Sequence, residues 1–158
     1  MKTNTIEPQR FRQVLGQWPS GVVVITSMVR GEPVGMAMNS FTSVSLDPPL
    51  VGFLPAKSSS TWPLLRESNR FCINVLASHH EEVSRLFSRK GIDRFASINW
   101  TPRESGPGIE DAVAWIECEL HSEVDAGDHT FVQGRVLHVD ARDEAEPLIF
   151  HRGQYTAL

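Results

Sequence analysis

The sequence predicts a mainly β protein, an antiparallel barrel with helices at its periphery, on three observations. Residues 22–28, VVVITSM, are β-branched and continuously apolar, as a strand buried on both faces requires. Residues 114–124, AWIECELHSEV, alternate cleanly, then meet a turn-forming DAGD and a second apolar run over 131–139. About six or seven such runs recur at short spacing, the mark of an all-β architecture.

The elements follow in order. Phe11, Val14, Leu15 and Trp18 keep helical spacing, so residues 7–18 read as an amphipathic helix that Pro19-Ser20-Gly21 stops. Strand 22–28 comes next, then a turn at Arg30-Gly31-Glu32-Pro33. From Val34 a strand runs through GMAMNSFTSVSLDPP (35–49) until Asp47-Pro48-Pro49 breaks it, since proline cannot donate to a ladder. Residues 50–54 form the next strand. Residues 61–67 form a short helix with Ser60 or Thr61 as cap and Pro63 in its first turn.

Residues 71–76, FCINVL, are another strand, and 80–87 return to helical spacing behind a solvated His79-His80 pair. Residues 88–109 read as one long connection, and loops of that length often cover a site. In 114–124, Ala114, Ile116, Cys118 and Leu120 face the core while Glu117, Glu119 and His121 face water. The hairpin turn at 125–128 leads into 131–139, and 148–150 add a last strand.

Composition narrows the function classes. The 158 residues suffice for one domain, 1–158, and contain no internal repeat or low-complexity segment. A net charge of -4 without a basic stripe argues against nucleic acid. No stretch approaches the roughly 20 apolar residues of a membrane span, and MKTNTIEPQRFRQ lacks a signal-peptide core. Cys72 and Cys118 lie in strand-like runs, without metal-ligand spacing, and read as buried small hydrophobes; a cytoplasmic setting fits.

Two anomalies carry the chemistry. In GMAMNSFTSVSLDPP, Asn39, Phe41, Ser43 and Ser45 would share one face and Ser40, Thr42, Val44 and Leu46 the other, so neither is a clean core face. Small hydroxylated residues let a ligand approach the backbone. Then AKSSSTW (56–62) sets Lys57 beside three serines at a helix start, a combination that suits a phosphate. A solvated serine-rich turn would look similar, but the neighbouring strand favours a ligand with a flat polar ring and a phosphate tail. GxxxxGK[ST] and GxGxxG are both absent. Arg89-Lys90 could add a cation, and His129, after Gly127-Asp128, is the candidate active-site histidine. Tyr155, the sole tyrosine, could close over a pocket or seal the barrel.

Taken together, GMAMNSFTSVSLDPPLVGF, FRQVLGQWPSGVVVITS, AKSSSTW, RFCINVLA, the Arg94-Phe95 pair, GDH (127–129) and PLIFHRGQY resemble the flavin reductase-like split-barrel family over nearly the whole chain. The resemblance is to the small reductase components of two-component aromatic hydroxylases. It implies a homodimeric split β-barrel that binds FMN or FAD, takes a hydride from NADH (or NADPH) and releases reduced flavin to a separate monooxygenase. By position it puts Met38, Asn39, Ser40 and Phe41 at the isoalloxazine ring, with Ser43, Val44 and Ser45 nearby. It puts Lys57, Ser58, Ser59, Thr61 and Lys90 at the phosphate, and His129 and Tyr155 at the nicotinamide. The cofactor then carries the redox chemistry, so no acid–base dyad is required. Gly52, where relatives often carry a larger residue, is expected to loosen its strand. A flavin carrier or sensor without turnover is the alternative, and an oxidase of a pyridoxine-type substrate a third.

Overall fold

The computed structural model describes residues 5–158; residues 1–4, the start of the segment read as lacking a signal peptide, lie outside that range. In chain order the elements are α1 (Pro8–Leu15), β1 (Ser20–Gly21), β2 (Val23–Val29), β3 (Glu32–Met38), β4 (Thr42–Ser45), β5 (Leu50–Phe53), α2 (Trp62–Glu67) and β6 (Arg70–Val75). Then come α3 (Glu81–Leu86), β7 (Trp100–Arg103), β8 (Gly106–Ile109), β9 (Ala114–Ala126), β10 (His129–Ala141), β11 (Ile149–His151) and β12 (Gln154–Thr156).

Seven antiparallel strands form the main sheet in the order β3-β2-β6-β9-β10-β5-β4. It is a split β-barrel: its edge strands β3 and β4 are linked by residues 39–41 and share no ladder. β1, β11 and β12 form a small second sheet, and β7–β8 a hairpin.

β2 explains its own unbroken apolarity. Val23 and Ile25 enter a core with Phe53, Trp62, Phe71 and Val132, whereas Val22 and Val24 enter a second core with Phe87, Phe95 and Leu148. Both faces are covered, so neither can be polar. Trp62 of α2 closes one end of the first core, with edge-on contacts to Phe53 and Phe71 at 5.4 and 6.1 Å. Its indole N–H donates to Glu123 of β9 at 2.9 Å, satisfying the one polar atom that burial would strand.

Four expectations change. GMAMNSFTSVSLDPP is two strands on opposite edges of the sheet, with a break at Asn39, Ser40 and Phe41. The connection 88–109 contains the β7–β8 hairpin, held against the sheet by buried Asn74 and Thr26. Asn74 Oδ1 accepts from Ile109 N at 2.8 Å, and Thr26 Oγ1 donates to the Pro107 carbonyl at 2.6 Å. Glu117 is buried beneath that hairpin, accepting from Ser105 N at 3.0 Å and pairing with Arg103 at 3.4 Å. Finally, His79 is exposed but His80 is buried, its Nδ1 accepting from Ala77 N at 3.0 Å.

Candidate functional site

The site is built on the open edge of β3. Arg30 and Gly31, at φ of +52° and +81°, turn β2 into β3 in a two-residue hairpin. On its far side β3 meets no strand; Ala37 N donates to the Phe87 carbonyl after α3 at 3.2 Å. β3 ends at Met38, and the chain crosses the gap toward β4. Ser40 Oγ accepts from Leu54 N there at 2.9 Å, fastening the crossing to the end of β5. Among the described residues, no acceptor meets the backbone N–H groups of Asn39, Ser40 or Phe41. Asn39 and Ser40 border a cleft of about 520 Å³ whose walls also include Met36, Met38, Pro55 and His129.

Met38, Asn39 and Ser40 therefore line one cleft, as the sequence foresaw. Phe41 turns instead against the barrel core, and Ser43, Val44 and Ser45 lie on the β4 edge, away from that cleft.

The AKSSSTW segment packs on the tip of the β9–β10 hairpin. Lys57 N donates to the Asp128 carbonyl at 2.9 Å, Thr130 N to the Pro55 carbonyl at 3.0 Å, and Ala56 bridges to His129. Two motifs about seventy residues apart thus share one wall. Lys57 Nζ pairs with Asp125 at 3.0 Å, and Ser58 is exposed. Thr61 is the N-cap residue of α2, one of the two the sequence offers, but its side chain makes no capping bond; Ser59 Oγ instead accepts from the amides of Thr61 and Trp62, both at 3.2 Å.

Thr61 and Lys90 line a second pocket of about 390 Å³, with Gly35, Ser60 and Arg94. Arg94 donates to the Gly35 carbonyl at 2.6 Å and to Thr61 Oγ1 at 3.4 Å. Partial burial lowers its guanidinium pKa. Ser60 is the last of the three serines read beside Lys57, whereas Arg94 was not assigned to the site; the Arg94-Phe95 pair was its only signal. β3 borders both pockets, and at about 3.3 Å per residue they lie on the order of 15 Å apart. A mainly apolar cleft edged by Asn39, Ser40 and His129 at one end and hydroxyls with two cations at the other fit a ring bearing a phosphate tail.

His129 opens β10 directly after the two-residue Gly127-Asp128 turn, with Gly127 at φ +68°. Its Nδ1 lies 2.7 Å from Asp128 Oδ1. That hydrogen bond, and then the imidazole charge, hold the Asp128 carboxyl below the usual carboxylate range. A carboxylate only accepts, so Nδ1 carries the proton and Nε2 is left to the cleft. Tyr155 of β12 donates to or accepts from Ser84 Oγ at 2.8 Å, with the Arg85 guanidinium 5.0 Å from its ring centre. It lines a pocket of about 200 Å³ on the other side of Met38 and Asn39. Among the described residues, no group of His, Cys, Asp or Glu could hold a metal ion.

Comparison with known proteins bears on the family and the fold. A model of the flavin reductase-like domain matches residues 15–158. The flavin reductase of Pseudomonas putida is 46% identical over 154 residues, covering 96% of this chain and 91% of that protein. Nitrilotriacetate monooxygenase component B from Mycobacterium thermoresistibile superposes with a TM-score of 0.92 at 43% identity, over 95% of this chain and 86% of that one. The NADH:FAD oxidoreductase SgcE6 of Streptomyces globisporus, with NAD and FAD fragments, gives a TM-score of 0.91 at 34% identity over 99% and 97%. With a domain match over nearly all its length and a shared fold, this chain belongs to the flavin reductase-like family.

Proposed function

We propose that the whole chain, as one domain, is an NAD(P)H-dependent flavin reductase that takes a hydride from NADH, reduces FMN or FAD, and passes reduced flavin to a separate monooxygenase. The observation that carries this is the pair of pockets along β3, one bordered by Asn39 and Ser40 with their unpaired amides and one with Ser60, Thr61, Lys90 and Arg94. The names of the relatives support it: one is a flavin reductase, one an NADH:FAD oxidoreductase and one a monooxygenase component.

A bound flavin supplies a two-electron acceptor, taking up the hydride that NADH loses on becoming NAD⁺ and a proton from water. The chain's own residues bind and orient. The amides of Asn39 and Ser40 would offer donors to the polar ring edge, where they would favour negative charge. Met38 would pack on the ring and Thr61, Lys90 and Arg94 would hold the phosphate, whereas Lys57, paired with Asp125, and Ser58 belong to the segment packed on the β9–β10 tip. His129 Nε2 and Tyr155 border the nicotinamide side. Ser40 and Ser59 act as braces, their hydroxyls being engaged by Leu54 and by the α2 amides. We further propose a homodimer, supported by exposed apolar side chains at Leu46, Leu137 and Val139. A cytoplasmic location is consistent with two free cysteines and with no helix long and apolar enough to cross a membrane among the described residues.

The test is steady-state kinetics across FMN or FAD with NADH or NADPH. No flavin-dependent loss of nicotinamide absorbance in any combination would sink the reading, and tight flavin retention without turnover would favour a carrier. His129→Ala should raise the nicotinamide KM more than it weakens flavin binding; unchanged KM and kcat would remove His129 from the site.

A further inference from the structure

A larger cavity, about 560 Å³, lies between α1 and the β11–β12 hairpin. It shares Asn39 and His129 with the ring cleft, so a ligand whose reactive end sits at His129 can extend its tail into it without leaving the protein surface. Phe11, Leu15 and Trp18 of the α1 segment form one wall, and their apolar side chains are 50%, 56% and 80% exposed.

Two arginines, Arg12 and Arg152, line this space. Arg152 is fixed by a neutral partner: Nε and Nη2 donate to Gln17 Oε1 at 3.1 and 2.8 Å, and its backbone N donates to the Gly16 carbonyl at 3.1 Å. Gln17 orients the group and leaves its charge uncompensated. The Arg12 guanidinium has no hydrogen bond or ion pair among the described residues; its carbonyl accepts from Gly16 N. Asp128 is the single carboxylate in the lining, and its Oδ1 is engaged by His129. An apolar-walled cavity with two uncompensated arginines calls for an anion carried on a partly apolar molecule. Guanidinium pairs well with phosphate oxygens because its N–H groups match them two at a time.

We propose that Arg12 and Arg152 bind the phosphates of the nicotinamide nucleotide, with α1 and the β11–β12 hairpin as the two jaws of its tail site. This rests on the reductase reading above. Such residues govern affinity for the intact nucleotide and leave the ring chemistry at His129 untouched, which separates them from residues that merely cap the helix or close the hairpin.

The experiment compares NADH with 1-benzyl-1,4-dihydronicotinamide, a donor that carries the ring but no phosphate, at saturating flavin. The proteins are the wild type, Arg12→Gln, Arg152→Gln and Arg152→Lys. For each glutamine variant the NADH KM should rise about ten- to hundredfold, the loss of a charge-assisted contact. The ratio of kcat/KM for NADH over the benzyl donor should fall by the same factor, with flavin affinity from fluorescence titration unmoved. Inhibition by ADP-ribose should weaken in parallel, and Arg152→Lys should recover part of the loss. An unchanged donor ratio in both glutamine variants overturns the proposal, as does a loss of flavin affinity that matches the loss of NADH affinity. A wild type that oxidises the benzyl donor but not NADH also overturns it, leaving the reductase reading intact; oxidation of neither donor overturns both.

Discussion

His80 shows how a single side chain can be misplaced by its neighbours in sequence. The His79-His80 pair precedes a polar helix, and the sequence assigns both to solvent, yet His80 is only 5% exposed. Its ring leaves water because Nδ1 is needed as acceptor for Ala77 N at the start of α3. Burial, and then the neighbouring His79, push its pKa down to about 4. The unfolded chain, with an ordinary histidine near 6.5, binds a proton in the interval that the folded chain refuses. Stability from this group is therefore complete above about pH 6.5 and declines as pH falls toward 4, by at most about 1.4 kcal/mol per pH unit. Denaturant titrations between pH 7 and 4 should show that slope in the wild type. His80→Asn, whose side-chain carbonyl can still accept from Ala77 N, should lose most of it. Ser40 and Ser59 teach a related lesson. Composition marks both as hydroxyls of the two anomalous segments, but which hydroxyls are engaged by main-chain amides depends on Leu54 and Trp62, brought there by the fold.

Among the elements, β2, β6 and the β9–β10 hairpin were readable because their apolar pattern and turn residues say the same thing. The hairpin β7–β8 was not, since WTPR and GPGI carry the prolines and glycines that normally demote a strand. It persists because Asn74 and Thr26, distant in sequence, bond its backbone. β5 reverses an expectation of a different kind. Gly52 was expected to loosen its strand, but a Cβ there would lie 2.5 Å from Phe131 Cε2 and 3.1 Å from Val44 Cγ2. The glycine is the space in which the Phe131 ring packs across the β10–β5–β4 ladder. Gly52→Ala should destabilise the protein by about 1–3 kcal/mol through overpacking. Phe131→Leu in the same chain should recover part of that loss, and strictly additive effects in a double-mutant cycle would contradict the direct contact.

For the molecule as a whole, the motif set pointed to the right family and the right barrel, while the separation of Met38–Ser40 from Ser43–Ser45 could not be read. Strand alternation is blind to a break that moves the chain from one edge of a sheet to the other. The same scale governs assembly. Leu46 is 93% exposed and Val139 62%, on the outer surface near the β4–β5 turn and the far half of β10. Sedimentation at micromolar concentration should give twice the mass of the chain, and Leu137→Glu with Val139→Glu should return a monomer; a monomeric wild type would dismiss this pairing.

The two cysteines acquire a meaning once the proposed chemistry is set beside them. Reduced flavin that escapes into aerated solution hands its electrons to oxygen, and peroxide forms next to the protein that released it. Cys72 and Cys118 are fully buried, and burial pushes both thiols up to about 12, so neither offers a thiolate at neutral pH. Both sulfhydryls of the chain are thus held back from an oxidant that its own product can generate.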